Sequence, residues 1–562
     1  MRPLIECVPN FSEGRNSQVL QLIQQSIENV EGVELLDIDP GKATNRTVFT
    51  FVGEPEPVIE AAFQAIKTAA SAIDMSKHQG EHPRMGATDV CPLVPISGIN
   101  MVEVVAYAHK LGERVGRELG IPGYYYENAA TLPARKNLAN VRAGEYEGLE
   151  KKLQDPNWKP DFGPADFSTA RKTGATCISA RDFLIAYNIN LNTTSTRRAN
   201  AIAFDMREAG RIQTVDGKPG SAPLLDDAGN PVRIPGKLKA VKGIGWYIEE
   251  YGIAQISYNL TNINLTPIHI AFDETAKAAE SRGLRVTGSE LIGLIPLQAM
   301  LDAGAYFLKK QERSIGVSEA ELIKIAVKSM GLDDLKPFDP REKIIEYRIA
   351  QPGDSRLINM TLSDFADETL SEAPAPGGGS IAAYVGSLGA ALGTMVANLS
   401  SHKRGWDDRW SFFSDWAQKG VRYQKDLLRL VDADTASFNA ILEAYRLPKD
   451  TDTEREARSK AIQEATRIAI ETPLKCAEIA FDSMEVMEAM AVEGMSSSIT
   501  DAAVGAICAR AAVRSAIYNV RINCGDYKDA EFVSSTLARC EELINLTEVR
   551  EKHIIEAVEA RM

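Results

Sequence analysis

The sequence predicts an α+β N-terminal part made of two βαββαβ subdomains, followed by an all-α helical bundle. Three observations carry that prediction. In the first hundred residues the apolar period switches between 2 and 3.6 in the order strand, helix, strand, strand, helix, strand. A similar order returns after residue 180. Beyond GLDDLKPFDPR, residues 331–341, strand signals nearly vanish and long helical patterns take over.

In the first subdomain, residues 1–180, strands are expected at 4–8, 33–38, 46–52 and 89–96, with helices at 18–30, 57–73 and 102–119. Pairing the four strands as a split βαβ unit gives the ferredoxin-like arrangement. Both of its helices lie on one face and the other face is left to pack or bind. A Pro- and Gly-containing stretch, 155–174, leads into the second subdomain, 181–330. There strands are expected at 183–191, 239–247, 254–260 and 284–295, with helices at 195–211 and 267–282. Residues 331–341 read as a linker. The helical domain, 342–562, has patterns at 378–397, 406–446, 453–481, 484–493, 499–522 and 529–560.

Composition narrows the function classes. The 562 residues carry 63 Lys and Arg against 77 Asp and Glu, a formal charge of −14. So acidic a surface repels phosphate backbones, which disfavours bulk nucleic-acid binding. Seven scattered cysteines form no CxxC pair and suit reduced thiols in the cytosol. The N-terminal stretch lacks an apolar core and a cleavage site, so no export signal is expected. One stretch, 373–401, has no charged residue and could suggest a membrane-anchored scaffold. Its Gly, Ala and Ser content favours a closely packed core helix instead, with the small residues Gly386, Gly389 and Gly393 along one face.

Several constellations have chemical potential. His78-Gln79-Gly80-Glu81-His82 fits the H-x-x-E-H pattern of a zinc hydrolase. Gly80 and Pro83 argue against the helix that pattern requires. The alternative is a loop presenting one imidazole at the sheet edge, suited to moving a proton between two nitrogens. Asp37 and Asp39 end the second strand, where a carboxylate would either orient that imidazole or begin an Asx turn at Asp39-Pro40-Gly41. Residues 161–174 (DFGPADFSTARKTG) form a loop or a plain linker between the subdomains. Arg233, Lys237, Lys239 and Lys242 make a local basic patch. In the bundle, Asp434 falls on the apolar stripe of Leu427, Leu430, Val431, Phe438, Ile441, Leu442 and Tyr445, whereas Asp432 points elsewhere. A carboxyl on a buried face either pairs with a cation or has its pKa raised into the range of a proton donor, or else it caps a neighbouring helix. Pro376-Gly377-Gly378-Gly379-Ser380 precedes the small-residue helix, either as a bare turn or as an anion-receiving helix start.

Glu6–Asn16 (ECVPNFSEGRN), Lys77–Pro92 (KHQGEHPRMGATDVCP), Ala180–Leu191 (ARDFLIAYNINL), Gly243–Tyr247 (GIGWY) and Gly288–Pro296 (GSELIGLIP) resemble glutamate formimidoyltransferase. The region with APAPGGGSIAAYVGSLGAALGTMV and LVDAD, ending at Asp434, resembles the formimidoyltetrahydrofolate cyclodeaminase and methenyltetrahydrofolate cyclohydrolase family. Their order is that of the bifunctional formimidoyltransferase-cyclodeaminase family, and the resemblance spans nearly the whole chain.

The resemblance implies a bifunctional enzyme of histidine breakdown and one-carbon metabolism. Its first half would move a formimidoyl group from N-formimidoyl-L-glutamate to tetrahydrofolate, releasing L-glutamate. The second half would then form 5,10-methenyltetrahydrofolate and ammonia. An alternative is a transferase alone, with the helical domain acting as a cyclohydrolase or an oligomerisation module. By the same resemblance His82 is the transferase's catalytic histidine, assisted by Asp39, and Asp434 is the cyclodeaminase's proton donor. The folate loop would be Gly163, Pro164, Ala165, Asp166, Phe167, Lys172, Thr173 and Gly174. Tetrahydrofolate, including polyglutamylated forms, would be the co-substrate, without a metal. The expected setting is cytoplasmic, without nucleic-acid or membrane partners, in a homo-oligomer built on helical-domain dimers. Two departures from the family pattern, Ser179-Ala180-Arg181-Asp182 before FLIA and the loop STARK at 168–172, bear on individual folate contacts.

Overall fold

Along residues 46–51 side chains alternate, with Thr47, Phe49 and Phe51 buried and Arg46, Val48 and Thr50 less so. That is the pattern of a strand with one face on a core. The computed structural model describes residues 3–41, 45–79, 84–218, 220–227, 229–349, 357–373 and 375–562. It divides into two units: Met1–Pro296 with Leu332–Ile349, and Leu297–Gly331 with Ala350–Met562.

The first unit is an α/β region with two principal sheets. Its larger sheet contains β1 (Leu4–Cys7), β2 (Asn10–Phe11), β3 (Val33–Gly41), β4 (Arg46–Gly53), β5 (Thr88–Ser97), β6 (Gly123–Glu127) and β7 (Thr176–Ala180). β1 lies between β4 and β5, antiparallel to both, and β3 closes the β4 edge. β7 and then β6 extend the sheet in parallel beyond β5. Helices α1 (Ser17–Glu28), α2 (Pro55–Ala72) and α3 (Met101–Arg114) contribute to a core that joins Ile23, Ile66 and Leu111 to Phe49, Phe51 and Leu93.

Neither β6 nor β7 is expected from periodicity, and the reason is physical. Their residues are almost continuously buried. Tyr125 enters the core with α1 to α3, while Tyr124 and Tyr126 enter another with Val141 and Leu149. Strands buried on both faces lose the period-2 signal.

The second sheet comprises β8 (Ile185–Leu191), β9 (Val241–Ile248), β10 (Ile253–Leu260) and β11 (Val286–Ile292), in the antiparallel order β9-β10-β8-β11. Helix α4 (Thr196–Met206) follows β8 and α5 (Ile268–Glu280) follows β10. Residues 332–349 return to this unit: Ile295 bridges to Ile344, and Asn190 Nδ2 donates to Asp334 Oδ2 at 3.0 Å.

The second unit is largely helical. It contains α6 (Leu297–Lys310) and α7 (Glu319–Met330), which sequence reading places in the preceding subdomain. Its main helices are α8 (Gly378–Ser401), α9 (Trp410–Arg446), α10 (Asp452–Glu493), α11 (Ile499–Cys524) and α12 (Ala530–Glu559). The two patterns at 453–481 and 484–493 are one 42-residue helix, which also runs through Pro473. A proline cannot supply the N–H that would bond residue 469. Asn523 Nδ2 of α11 donates to the Ala469 carbonyl at 2.7 Å and satisfies it.

Helix α8 is long and apolar enough to cross a membrane, but its most apolar window is 61% buried within the protein. Its small residues admit neighbours closely. A Cβ on Gly389 would lie 2.8 Å from the Gly505 carbonyl oxygen, and one on Gly505 would lie 2.9 Å from that of Gly389. The stripe proposed around Asp434 needs one correction. Leu427, Leu430 and Val431 are buried and Ile441 and Leu442 half-buried, but Phe438 and Tyr445 are 39% and 49% exposed and stand off the covered face of α9.

Gly389→Leu forces side-chain atoms into the α8–α11 contact. It is expected to destabilise the helical unit by about 1–3 kcal/mol or more, read as a lower urea midpoint for that unit.

Candidate active sites

The first candidate site lies where the chain enters β4 and where segments 75–86 and 163–174 meet. Asn45 takes a left-handed conformation with φ 48°. Its Oδ1 accepts the Gly14 N–H at 3.0 Å, and its Nδ2 donates to the Gln79 carbonyl at 2.9 Å. His78 Nε2 donates to the Asn45 carbonyl at 3.0 Å, while its Nδ1 accepts from Arg84 Nε at 3.2 Å. A guanidinium only donates, so this pairing fixes the neutral imidazole with its proton on Nε2. Burial lowers the His78 pKa in the same direction. Both His78 nitrogens are occupied by these bonds, and Glu81 and His82 of the H-x-x-E-H pattern lie outside the described residues. No group of three metal-binding side chains occurs among the described residues.

Arg84 itself is gripped by Glu147 at 2.9 and 2.7 Å and by Glu145 at 3.2 Å. These residues, with Met75, His78 and Tyr146, line a cleft of about 660 Å³. Just after Arg84 the Met85 N–H donates to Asp89 Oδ1 at 3.0 Å. Asp89 is fully buried; its Oδ2 receives Arg142 at 2.5 Å and also Arg46, whose Nε reaches Asn10 Oδ1 at 3.0 Å. One carboxylate thus ties β4, the chain before β5, and the helix Leu138–Arg142. His82, with residues 80–83, lies outside the described residues. Asp39 is exposed on the edge strand β3, opposite Val48.

The loop expected to hold folate is anchored at both ends by left-handed glycines, Gly163 at φ 74° and Gly174 at φ 67°. A Cβ on Gly174 would lie 2.1 Å from the Met85 carbonyl oxygen. Ala87 N–H donates to the Thr173 carbonyl at 2.7 Å and Met75 N–H to that of Lys172 at 2.9 Å, so the end of the loop is laced to residues that precede His78 and follow Arg84. Pro164 and Ala165 follow Gly163 without regular structure. Asp166 caps the short helix Phe167–Ala170 through the Ser168 N–H at 2.9 Å. Ala165, Asp166, Phe167 and Arg171 line a second cleft of about 490 Å³ with Glu150 and Gln154. Lys172 Nζ is taken by the Ser71 carbonyl at 2.6 Å. The basic patch is partly neutralised: Lys237 pairs with Glu274, and Lys239 lies 3.8 Å from Glu208.

The second candidate site is in the helical unit. Asp434 of α9 lies against the start of α8, joining two features that are separate in the sequence. Ser380 is fully buried; its hydroxyl is 3.2 Å from Asp434 Oδ2 and 2.8 Å from the Val431 carbonyl oxygen. Ser380 N–H also bonds the carboxyl. Burial raises the Asp434 pKa, and the two Ser380 donors only partly oppose it. Its partners among the described residues carry no positive charge, and the neighbouring Cys476 is itself a buried thiol raised to about 12. The arrangement raises this carboxyl's affinity for its proton, the direction that a proton donor requires.

Three family models cover the chain. Those for the N-terminal subdomain of the formiminotransferase domain, the formiminotransferase domain, and formiminotransferase-cyclodeaminase match residues 4–181, 186–350 and 361–542. The formimidoyltransferase-cyclodeaminase of Mus musculus is 42% identical over 562 residues, covering 100% of both chains. This chain belongs to the formimidoyltransferase-cyclodeaminase family. Members or relatives of its two halves also occur separately. A glutamate formimidoyltransferase of Streptococcus pyogenes is 40% identical over 312 residues, 56% of this chain and 95% of its own. A methenyltetrahydrofolate cyclohydrolase of Methylorubrum extorquens is 34% identical over 204 residues, 36% of this chain and 98% of its own.

Sequence reasoning missed Asn45, the Asp89 cluster and Glu6; Glu6 and Asp89 lie inside stretches that carry the formimidoyltransferase-cyclodeaminase resemblance, whereas Asn45 lies outside them. Glu6, between Val52 and Val94 on β1, is buried, and burial raises its carboxyl to about 7 although Arg181 opposes the shift. Only an acidic residue inside an otherwise apolar strand signals it. With the folded value above the ordinary 4.5, the native state holds the proton longer than the unfolded chain. Stability from this group is therefore complete below pH 4.5 and is lost as pH rises to about 7. Glu6→Gln should match the parent near pH 4.5 and exceed it by up to about 3 kcal/mol at pH 8, as read from denaturant unfolding of the α/β unit.

Proposed function

We propose that this chain is a bifunctional folate enzyme. Its α/β unit transfers the formimidoyl group from N-formimidoyl-L-glutamate to N5 of tetrahydrofolate and releases L-glutamate. Its helical unit cyclodeaminates the resulting 5-formimidoyltetrahydrofolate to 5,10-methenyltetrahydrofolate and ammonia. The full-length match to a formimidoyltransferase-cyclodeaminase carries this reading, and the half-buried carboxyl of Asp434, whose pKa burial raises, supports its second half. Both main sheets are read as ferredoxin-like, on the strand orders β3-β4-β1-β5 and β9-β10-β8-β11. Catalytic halves at 1–330 and 342–562, a cytoplasmic homo-oligomer built on helical-domain dimers, and use of polyglutamylated folate complete the reading.

In the transferase, N5 attacks the formimidoyl carbon. His82 takes the N5 proton and passes it to the departing glutamate nitrogen, with Asp39 orienting the imidazole. The loop 163–174 holds the folate; its lacing to segment 75–87 supports a shared site. In the cyclodeaminase, N10 attacks the same carbon and its proton passes to the exocyclic nitrogen, giving an aminal with an NH2 group. Asp434 protonates that nitrogen as the C–N bond breaks, ammonia leaves, and the methenyl cation remains. The carboxylate regains its proton from solvent.

A second reading of the helical unit, as a methenyltetrahydrofolate cyclohydrolase, is favoured by the relative that matches 204 residues of this chain. Ammonia separates the two, because a hydrolase releases none.

With N-formimidoyl-L-glutamate and tetrahydrofolate, methenyltetrahydrofolate absorbance and ammonia should rise together. His82→Ala should lower transfer by about 10²–10⁴-fold while cyclodeamination of supplied 5-formimidoyltetrahydrofolate continues. Asp434→Asn should do the reverse. Transfer at the parent rate in the first variant, or ammonia at the parent rate in the second, removes the corresponding assignment.

A further inference from the structure

Three glycines in succession, Gly377, Gly378 and Gly379, open α8, and only one of them has a neighbour that forbids a side chain. A Cβ on Gly377 would meet nothing within 4 Å among the described residues, and its φ of −108° suits any residue. On Gly378 it would lie 3.4 Å from Asn519 Nδ2, an ordinary contact. On Gly379 it would lie 2.1 Å from Asp434 Oδ1, 2.4 Å from Cγ and 2.6 Å from Oδ2. No real Cβ approaches a heavy atom so closely, so any side chain at 379 must push the carboxyl away by about 1 Å.

The carboxyl has little freedom to yield without losing its partners. Oδ2 is engaged by the buried Ser380 hydroxyl, which also bonds the Val431 carbonyl and lies 3.3 Å from Thr435 Oγ1. Oδ1 rests over the bare Cα of Gly379. A glycine within a helix costs about 0.5–1 kcal/mol relative to alanine, so helix formation does not explain its presence there.

We infer that Gly379 is a positioning residue of the cyclodeaminase reaction: its missing side chain is the slot that holds Asp434 Oδ1, the oxygen that exchanges the proton with the departing nitrogen. This rests on the reading of Asp434 as the proton donor. Displacement of a reacting group by about 1 Å costs on the order of 10²-fold in rate. The effect falls on the chemical step, because the slot holds the acid and not the substrate.

The test compares Gly377→Ala, Gly378→Ala and Gly379→Ala in the full chain with supplied 5-formimidoyltetrahydrofolate. Gly379→Ala should lose at least about thirtyfold in kcat for ammonia release, with KM within about threefold. The other two should stay within about threefold of the parent in both, and transferase rates should not change in any of the three. Because Gly379→Ala can impair folding, its effect on thermal unfolding is also measured in an Asp434→Ala background. Removing the carboxyl should restore the melting temperature that Gly379→Ala lowers. Three alanine variants that behave alike, or a Gly379→Ala destabilisation that persists without the carboxyl, overturns the inference. Ammonia release by Asp434→Asn at the parent rate instead overturns the underlying reading of Asp434.

Discussion

Both units depend on the same constraint, which is main chain lying against a neighbour at a distance that a side chain would forbid. In the α/β unit the Met85 carbonyl lies against Gly174, and that approach joins the end of one candidate loop to the segment containing His78 and Arg84. In the helical unit Gly389 and Gly505 bring α8 and α11 into contact, and Gly379 admits the Asp434 carboxyl. Interiors packed at crystal-like density cannot absorb an added methyl group at such points. The candidate sites are therefore set by backbone geometry first and by their chemically active side chains second.

Charge placement follows from that geometry. Asp89 is removed from water and surrounded by two guanidiniums and a backbone N–H, the kind of partnering a buried carboxylate requires. Asp434 is treated differently: its partners are a hydroxyl and an amide, which leave burial as the dominant influence. One carboxylate is surrounded by donors and serves as a fastener. The other is left with burial pushing its pKa upward, the direction that favours holding a proton. The contrast arises from what surrounds each group and not from the residue type.

Much of this was legible in the sequence. The strands of both sheets that alternate, and the long helices α8 to α12, follow from periodicity. Strands β6 and β7 escaped because burial on both faces erases alternation. The pattern break near 482 is not a helix end, since α10 continues through it. The Gly-Gly-Gly-Ser turn and Asp434 each stand out, yet they are 54 residues apart, and nothing local says that one receives the other. Asn45 is similarly silent: its roles toward Gly14, His78 and Gln79 come from tertiary contacts. The pairing of Asp89 with Arg46 and Arg142 likewise links residues 43 and 53 positions away.

The proline in α10 has a consequence of its own. A helix usually consumes all of its interior hydrogen-bonding capacity, and so offers a neighbour only the shapes of its side chains, which permit sliding by a turn. At Pro473 one acceptor is surrendered, and Asn523 takes it up. That polar clasp, together with the bonds of Gln463 to Asp526 and Lys528 just past α11, sets the height of α11 along α10, much as pins set two sliding rails. Among surfaces otherwise rich in alanine, which grip poorly, it gives the pair a defined longitudinal alignment.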